Sequence, residues 1–431
     1  MKSIIVSVLV LLNIFLGFSH GKVCLSNECK ETAKRIKSWM DLSQDPCQDF
    51  YLYSCGNFKN QYPLPTGVGF VESIALVAHN LVKQIHGLLL DDNLKNHGSQ
   101  VVRESKQMFD DCMKKDDNLT DSNVFKSMVD KIDMCQHPLE FKYPAVLSRL
   151  YVDKYFNVQE YQEAKNTILA VKKAVESLNI KWTSIETRET IKNHLNTMQY
   201  NIGRPDWIIN DKELDDEYNG KKHEAWQVKV RQANTAYVYW GKESLYIPAG
   251  ILHYNIFNRK HPKALNYGAA GIIAGHEISH GIDHWMSFQE EDVKTLESHV
   301  KCLIKQLETV KEPQTGSQYK NASGLRNESL ADVGALNPSY LAYKQYMNGK
   351  EDESLPGLDL TPDQLFFVSQ AHLYCFNADD DLIKSHMKHG YGNPFPYFRV
   401  VLPVINSPSF AKVFKCETGR PMNPVKKCDL W

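Results

Sequence analysis

The sequence predicts a mainly α fold with a minor β component (α+β), built as two lobes, and three features lead there. Apolar residues recur at helical spacing between Thr32 and Tyr200: Leu81, Ile85, Leu88 and Leu89, then Val146, Leu147, Leu150 and Tyr151, then Ile168, Val171, Val175 and Leu178. Each set is a stripe that a helix turns towards a core. β-Favouring residues gather in one region, where Tyr237, Tyr239, Leu245, Tyr246 and Ile247 flank a turn at Gly241 and predict an edge strand around residues 235–237. The chain has 431 residues, 42% hydrophobic and 23% charged, values that suit a sizeable buried core and two lobes.

Taken from its start, the chain opens with a single Lys2, an apolar run from Ile4 to Phe18 and the small residues Ser19 and Gly21. This pattern predicts a secretory signal peptide over residues 1–21, cleaved before Lys22. The run is short for a bilayer span, so an uncleaved anchor is the alternative, and no later stretch is apolar enough to span. The expectation is a secreted, extracellular protein without a membrane anchor. Ten cysteines, an even number, suit full pairing in an oxidising compartment, but their connectivity does not follow from the sequence. Sequons at Asn118, Asn321 and Asn327 point the same way, with Asn327 expected to be too buried for use. A net charge of -1 argues against a nucleic-acid partner. Runs such as Asp379-Asp380-Asp381 and Lys221-Lys222 are solvated faces, and there is no internal repeat or low-complexity linker.

The chemistry concentrates at His276-Glu277-Ile278-Ser279-His280. On a helix, positions i and i+4 share a face, so His276 and His280 can offer two imidazole nitrogens to one Zn2+, with Glu277 beside it as general base to the attacking water. The alternative is a helix with two incidental histidines. Against it, residues 265–275 are almost free of charge, with Gly268, Ala269, Ala270 and Gly271 permitting close packing. A buried helix must satisfy two histidines and a carboxylate, and a metal does so directly. Glu328 is the candidate third ligand, and Asp332, one turn further, can accept the free ring N–H of a ligand histidine. Three ligands leave one position open, as in catalytic zinc, with one Zn2+ per chain.

At these residues the sequence resembles the neprilysin-like zinc metallopeptidases, which include the endothelin-converting enzymes. The likeness extends to Asp45-Pro46-Cys47-Gln48-Asp49-Phe50-Tyr51, Tyr246-Ile247-Pro248-Ala249-Gly250, Leu265-Asn266-Tyr267-Gly268, Gln364-Leu365-Phe366-Phe367 and Lys427-Cys428-Asp429-Leu430-Trp431. The resemblance implies a thermolysin-like zinc metallopeptidase lobe roofed by a second helical lobe. That second lobe is reduced here, because the chain is short between Met113 and Pro144 and again after Tyr218. The implied division is a segment over 22–55 packed on the catalytic lobe, a reduced cap over 56–200 and the catalytic lobe over 201–431. The implied disulfides are Cys24–Cys29, Cys47–Cys416, Cys55–Cys375, Cys112–Cys135 and Cys302–Cys428, which interleave the lobes.

The resemblance also assigns roles. Asp332 joins Glu277 as an essential residue, and Arg399 matches the arginine that binds a substrate carbonyl. Asn393 stands where the family has an oxyanion-stabilising histidine, so the donor lacks positive charge. His386 and His389 are nearby and would replace it only through a remodelled loop. Thr235 stands for the asparagine of the substrate-binding edge strand, beside a retained Ala236. Ile256, Ile273, Leu373 and Tyr374 form an apolar pocket, which favours cleavage on the amino side of a hydrophobic residue. Phe70 replaces the arginine that would hold a free substrate carboxylate. The segment that usually follows the zinc helix is absent; Asp283 is a possible partner of His280, and an amphipathic helix is expected around residues 293–307. The expected function is a secreted zinc metalloendopeptidase with a peptide substrate. A secreted pseudopeptidase that keeps zinc and binds peptides is the alternative, and a metal-free interaction protein is opposed by the His2Glu-Asp set.

Overall fold

The computed structural model describes residues 22–114, 128–220, 239–241, 244–282, 288–390, 392–428 and 430. Among these, thirteen helices have ten or more residues and carry the fold, which is mainly α as expected. The first seven are α1 (Asn27–Trp39), α2 (Ser73–Leu89), α3 (Gln100–Lys114), α4 (Met128–Lys142), α5 (Pro144–Tyr155), α6 (Val158–Glu176) and α7 (Ile185–Thr197). There follow α8 (Ile272–Ile282), α9 (Glu290–Thr309), α10 (Arg326–Met347), α11 (Pro362–Ala371), α12 (Asp380–His389) and α13 (Pro396–Ile405).

Local chemistry sets their ends. Ser26, Asn157 and Ser184 cap α1, α6 and α7 through side-chain oxygens that accept first-turn N–H groups. Thr361 and Gln364 cap α11 reciprocally. Gly390 ends α12 in the left-handed conformation (φ 58°). The anticipated apolar stripes are buried: Leu81, Ile85, Leu88 and Leu89 on α2, Val146, Leu147, Leu150 and Tyr151 on α5, and Ile168, Val171 and Val175 on α6. Leu178 lies just beyond α6, partly buried against the same core.

Five short strands complete the described fold. β1 (Phe70–Glu72) pairs antiparallel with β5 (Phe376–Ala378). β4 (Ser244–Pro248) lies between β2 (Gln199–Gly203), parallel to it, and β3 (Tyr239–Gly241), antiparallel to it. β3 is therefore an edge strand of this sheet; residues 235–237, where the edge strand was expected, lie outside the described residues. β1 and β2 interrupt the helical stretch that the periodicity suggested between Thr32 and Tyr200.

α8 and α10 make the most extensive contact between any two described elements. A Cβ on Gly275 would stand 3.1 Å from the Ala335 backbone and 3.0 Å from Ser339 Oγ, so glycine lets the two helices close up. Ser339 Oγ donates to the Gly271 carbonyl (2.8 Å), bonding α10 to the π-helical turn Tyr267–Gly271 that leads into α8. At Gly268 a Cβ would meet the Phe366 carbonyl oxygen at 2.3 Å, which fixes the approach of α11. α6, on the cap side of the implied division, packs against α8, α10 and the π turn.

The five disulfides are those the resemblance implied: Cys24–Cys29, Cys47–Cys416, Cys55–Cys375, Cys112–Cys135 and Cys302–Cys428. Trp182 Nε1 donates to the Leu430 carbonyl (2.8 Å), a further tie between mid-chain and the C-terminal region. Asn327, expected to be buried, is exposed at the start of α10, whereas Ser329 of its sequon is buried and donates to the Leu325 carbonyl (2.7 Å). No helix among the described residues is long and apolar enough to cross a membrane.

Candidate metal centre and active site

His276 and His280 stand one turn apart on α8, and Glu328 and Asp332 one turn apart on α10. Because the two helices close at Gly275, these four side chains meet. The Nε2 atoms of His276 and His280 are 3.1 Å apart. Glu328 Oε2 is 3.3 Å from His276 Nε2, and Glu328 Oε1 is 3.5 Å from His280 Nε2. A tetrahedral Zn2+ with bonds of about 2.0–2.1 Å separates its ligand atoms by about 3.3 Å. The donor atoms therefore fit zinc in both type and spacing, and they are the one such metal-ligating group among the described residues.

Behind these three side chains, His276 Nδ1 donates to Asp332 Oδ1 (2.9 Å), which turns Nε2 towards Glu328 and His280. Burial alone would lower the His276 pKa, but hydrogen bonds to Asp332 and Glu328 overcome it and raise it to about 9. The site favours positive charge at this point, whether a proton or a cation. Asp332 is itself buried and also accepts from Arg399, through Nε to Oδ2 (2.9 Å) and Nη2 to Oδ1 (2.8 Å). Burial would raise the Asp332 pKa, yet Arg399 and His276 hold it below the usual carboxylate value. The Arg399 guanidinium lies over the Tyr374 ring, 4.6 Å from its centroid. With Nε and Nη2 committed to Asp332, Arg399 Nη1 has no acceptor among the described residues.

Glu277 follows His276 on α8 and is half-buried. Burial raises its pKa, while the neighbouring His276 pulls it down and Glu328 pushes it up. A carboxyl shifted upward is better matched to taking a proton near neutral pH. Ile273, one turn before His276, is buried, as are Ile256, Leu373 and Tyr374. Asn393 is exposed on the loop that leads into α13 and so towards Arg399. His386 and His389 are committed elsewhere: His386 Nδ1 shares a hydrogen bond with Tyr319 Oη (3.1 Å) and its ring rests against Phe395, and His389 Nδ1 bonds the Ser385 carbonyl (2.7 Å). Thr235, Ala236 and Asp283 lie outside the described residues.

Sequence reasoning missed three features. The stacking of Arg399 on Tyr374 and the clamp of Arg399 on Asp332 join positions 25 and 67 residues apart, with no spacing signal to reveal them. Glu72, half-buried at the end of β1, has its pKa raised by burial and opposed by the charge of Arg399, and nothing in its local sequence marked it.

Comparison with known proteins agrees with this geometry. Two models described as peptidase family M13 match the chain, one over residues 46–142 and one over residues 235–430. Neprilysin-1 of Trittame loki is 30% identical over 338 residues, covering 66% of this chain and 46% of the relative. Endothelin-converting enzyme 1 of Homo sapiens is 28% identical over 350 residues, covering 71% of this chain and 45% of the relative. The chain thus spans a little under half the length of these curated relatives. Among solved structures, a chain of the Haemonchus galactose-containing glycoprotein complex superposes with a TM-score of 0.71 at 17% identity, covering 94% of this chain and 99% of that one. The Mycobacterium tuberculosis zinc metalloprotease Zmp1 in its open state superposes with a TM-score of 0.58 at 18% identity, over 73% of this chain and 54% of that one. The two family matches together take in more than half of the sequence, and the chain belongs to peptidase family M13.

Proposed function

We propose that this chain is a secreted zinc endopeptidase that hydrolyses oligopeptides on the amino side of hydrophobic residues. The observation that carries the proposal is the meeting of His276, His280 and Glu328 at 3.1–3.5 Å, with Asp332 and Arg399 fixed behind them. His276, His280 and Glu328 would hold the metal, which when bound supplies a Lewis acid that polarises the scissile carbonyl and acidifies a water. Glu277 takes the proton of the attacking water and returns it to the leaving amine. Asp332 keeps His276 oriented and Arg399 in place. Arg399 Nη1 donates to a carbonyl of the bound peptide, and the Asn393 amide supplies a neutral donor to the developing oxyanion. Ala236 and Thr235 pair with the peptide backbone, and Ile273 and Tyr374 contribute to the pocket for the hydrophobic residue. In this reading residues 22–55 pack on a catalytic lobe formed by 201–431, and 56–200 form a reduced cap. Secretion rests on the signal-like residues 1–21, the sequons and the five disulfides.

A second reading has specific support. Thr235, Asn393 and the shortened cap each weaken the substrate machinery, which favours a zinc-loaded peptide binder with little turnover. Quenched fluorescent peptides with a central Gly-Phe or Ala-Leu bond separate the two. Zinc-dependent cleavage, mapped by mass spectrometry to the amino side of Phe or Leu, is expected. Tight peptide binding without cleavage would establish the second reading.

A further inference from the structure

Away from the metal centre, one face of α1 and the loop around Tyr254 border an open cavity of about 800 Å³. This volume lies within the range of small-molecule sites. Its lining is mostly polar, with the aromatic rings of Trp39, Tyr62 and Tyr254 gathered around Arg35. The Arg35 guanidinium carbon is 5.1 Å from the Trp39 ring centroid and 5.4 Å from that of Tyr254. No carboxylate, carbonyl or hydroxyl among the described residues accepts from its side chain; Nη1 is buried beside a water-sized void shared with Asn255 and His372, and Nε and Nη2 are the donors left for the cavity. Tyr254 is also one of three non-glycine residues with positive φ (55°) among the described residues, so the backbone is held in a disfavoured conformation at that ring.

Ring faces offset part of the cost of sequestering a guanidinium, but they leave its planar fork of donors unmet. The matching acceptor is a carboxylate, which takes two parallel N–H bonds. The rim narrows the choice further. Glu28 is ion-paired with Lys260 and the exposed Glu31 balances Lys34, which leaves Arg35 as a single uncompensated positive charge, matched by a monoanion better than by a dianion such as a phosphate monoester. We propose that this cavity binds a monocarboxylate with an aromatic or aliphatic body, its carboxylate held by Arg35 and its body lying against the half-buried rings of Tyr62 and Tyr254. Burial lowers the Arg35 pKa, in keeping with a cation that lacks a counter-charge.

The test is calorimetric titration of the full chain with 4-phenylbutyrate, 4-phenylbutanol and 4-phenylbutylamine. Saturable binding of the acid is expected, with the alcohol and amine at least tenfold weaker. Arg35→Met should weaken the acid at least tenfold and Arg35→Lys by less. His280→Ala, which removes a metal ligand, should bind the acid as the unmodified chain does. An alcohol within threefold of the acid, no binding of the acid, or undiminished binding by Arg35→Met would overturn the proposal. So would loss of binding in His280→Ala, which would put the carboxylate on the metal, or equal competition by inorganic phosphate. If Arg35→Met fails to fold, the three-ligand series on the unmodified chain still decides.

Discussion

Asp332→Asn probes the way the centre is assembled. Asp332 is 4% exposed and accepts from three donors: His276 Nδ1 at 2.9 Å, Arg399 Nε at 2.9 Å and Arg399 Nη2 at 2.8 Å. The amide keeps the shape and one acceptor oxygen, but its nitrogen turns hydrogens towards one of those donors. At least one charge-assisted bond is lost, at about 1.5–3 kcal/mol. Arg399 keeps Glu328 Oε2, at 4.0 Å, as its remaining ion-pair partner among the described residues. The metal-free protein should therefore lose about 2–3 kcal/mol of stability. Zinc affinity should fall about 10–100-fold, the usual effect of losing a group that orients a ligand histidine. Competition with a fluorescent zinc chelator reads the affinity, and melting with and without zinc reads the stability. An affinity within threefold of the unmodified chain would refute the claim that the Asp332 bond orients His276.

Other expectations follow from packing and charge. Gly268→Ala forces a methyl to within 2.3 Å of the Phe366 carbonyl oxygen, so despite better helix propensity it should cost about 1–3 kcal/mol, measured as a lower urea midpoint. Removing the Cys55–Cys375 bridge while Cys47–Cys416 stays closed frees a loop of about 50 residues, and loop entropy gives about 4 kcal/mol, checked by chemical denaturation of the double serine variant. Burial depresses His253 and His261 to about 4 and His372 to about 3. Their unfolded forms bind protons from about pH 6.5 downward while the folded forms do not. Stability should therefore fall as pH drops from 6.5 towards 4, by about 2 kcal/mol for each histidine at pH 5, and equal urea midpoints at pH 7 and 5 would contradict this. Asn393→His should raise kcat/KM at least tenfold if that position faces the oxyanion, and an unchanged value would remove residue 393 from the catalytic set.

The four side chains that meet at the centre were readable because the helix repeat itself places them: His276 with His280, and Glu328 with Asp332, are each four positions apart, so a correct helix assignment puts each pair on one face. The core stripes of α2, α5 and α6 were readable for the same reason. What closes the centre was not. The approach of α8 to α10 depends on Gly275 opposite Ala335 and Ser339, and no periodic signal marks a glycine as a crossing point rather than a weak spot in a helix. The Asp332–Arg399–Tyr374 arrangement unites three elements whose only relation is tertiary. β1 and β5 are three residues each and pair across some 300 positions, too short for alternation to register. Asn327 is exposed although it adjoins the half-buried Glu328, because successive helical residues face about 100° apart. Arg35 reads as an ordinary polar position on an amphipathic helix until the opposite wall, more than 200 residues away, comes into contact with it.

The central claim is that one cluster both holds zinc and hydrolyses peptides, with Glu277 acting as base and not as ligand. Zinc content and peptide turnover of Glu277→Gln, measured beside the unmodified chain, test it most directly. The expected result is one zinc per chain in both proteins and a turnover at least a thousandfold lower in Glu277→Gln. Equal turnover in the two proteins, or an unmodified chain that carries zinc yet cleaves no faster than Glu277→Gln, would contradict it.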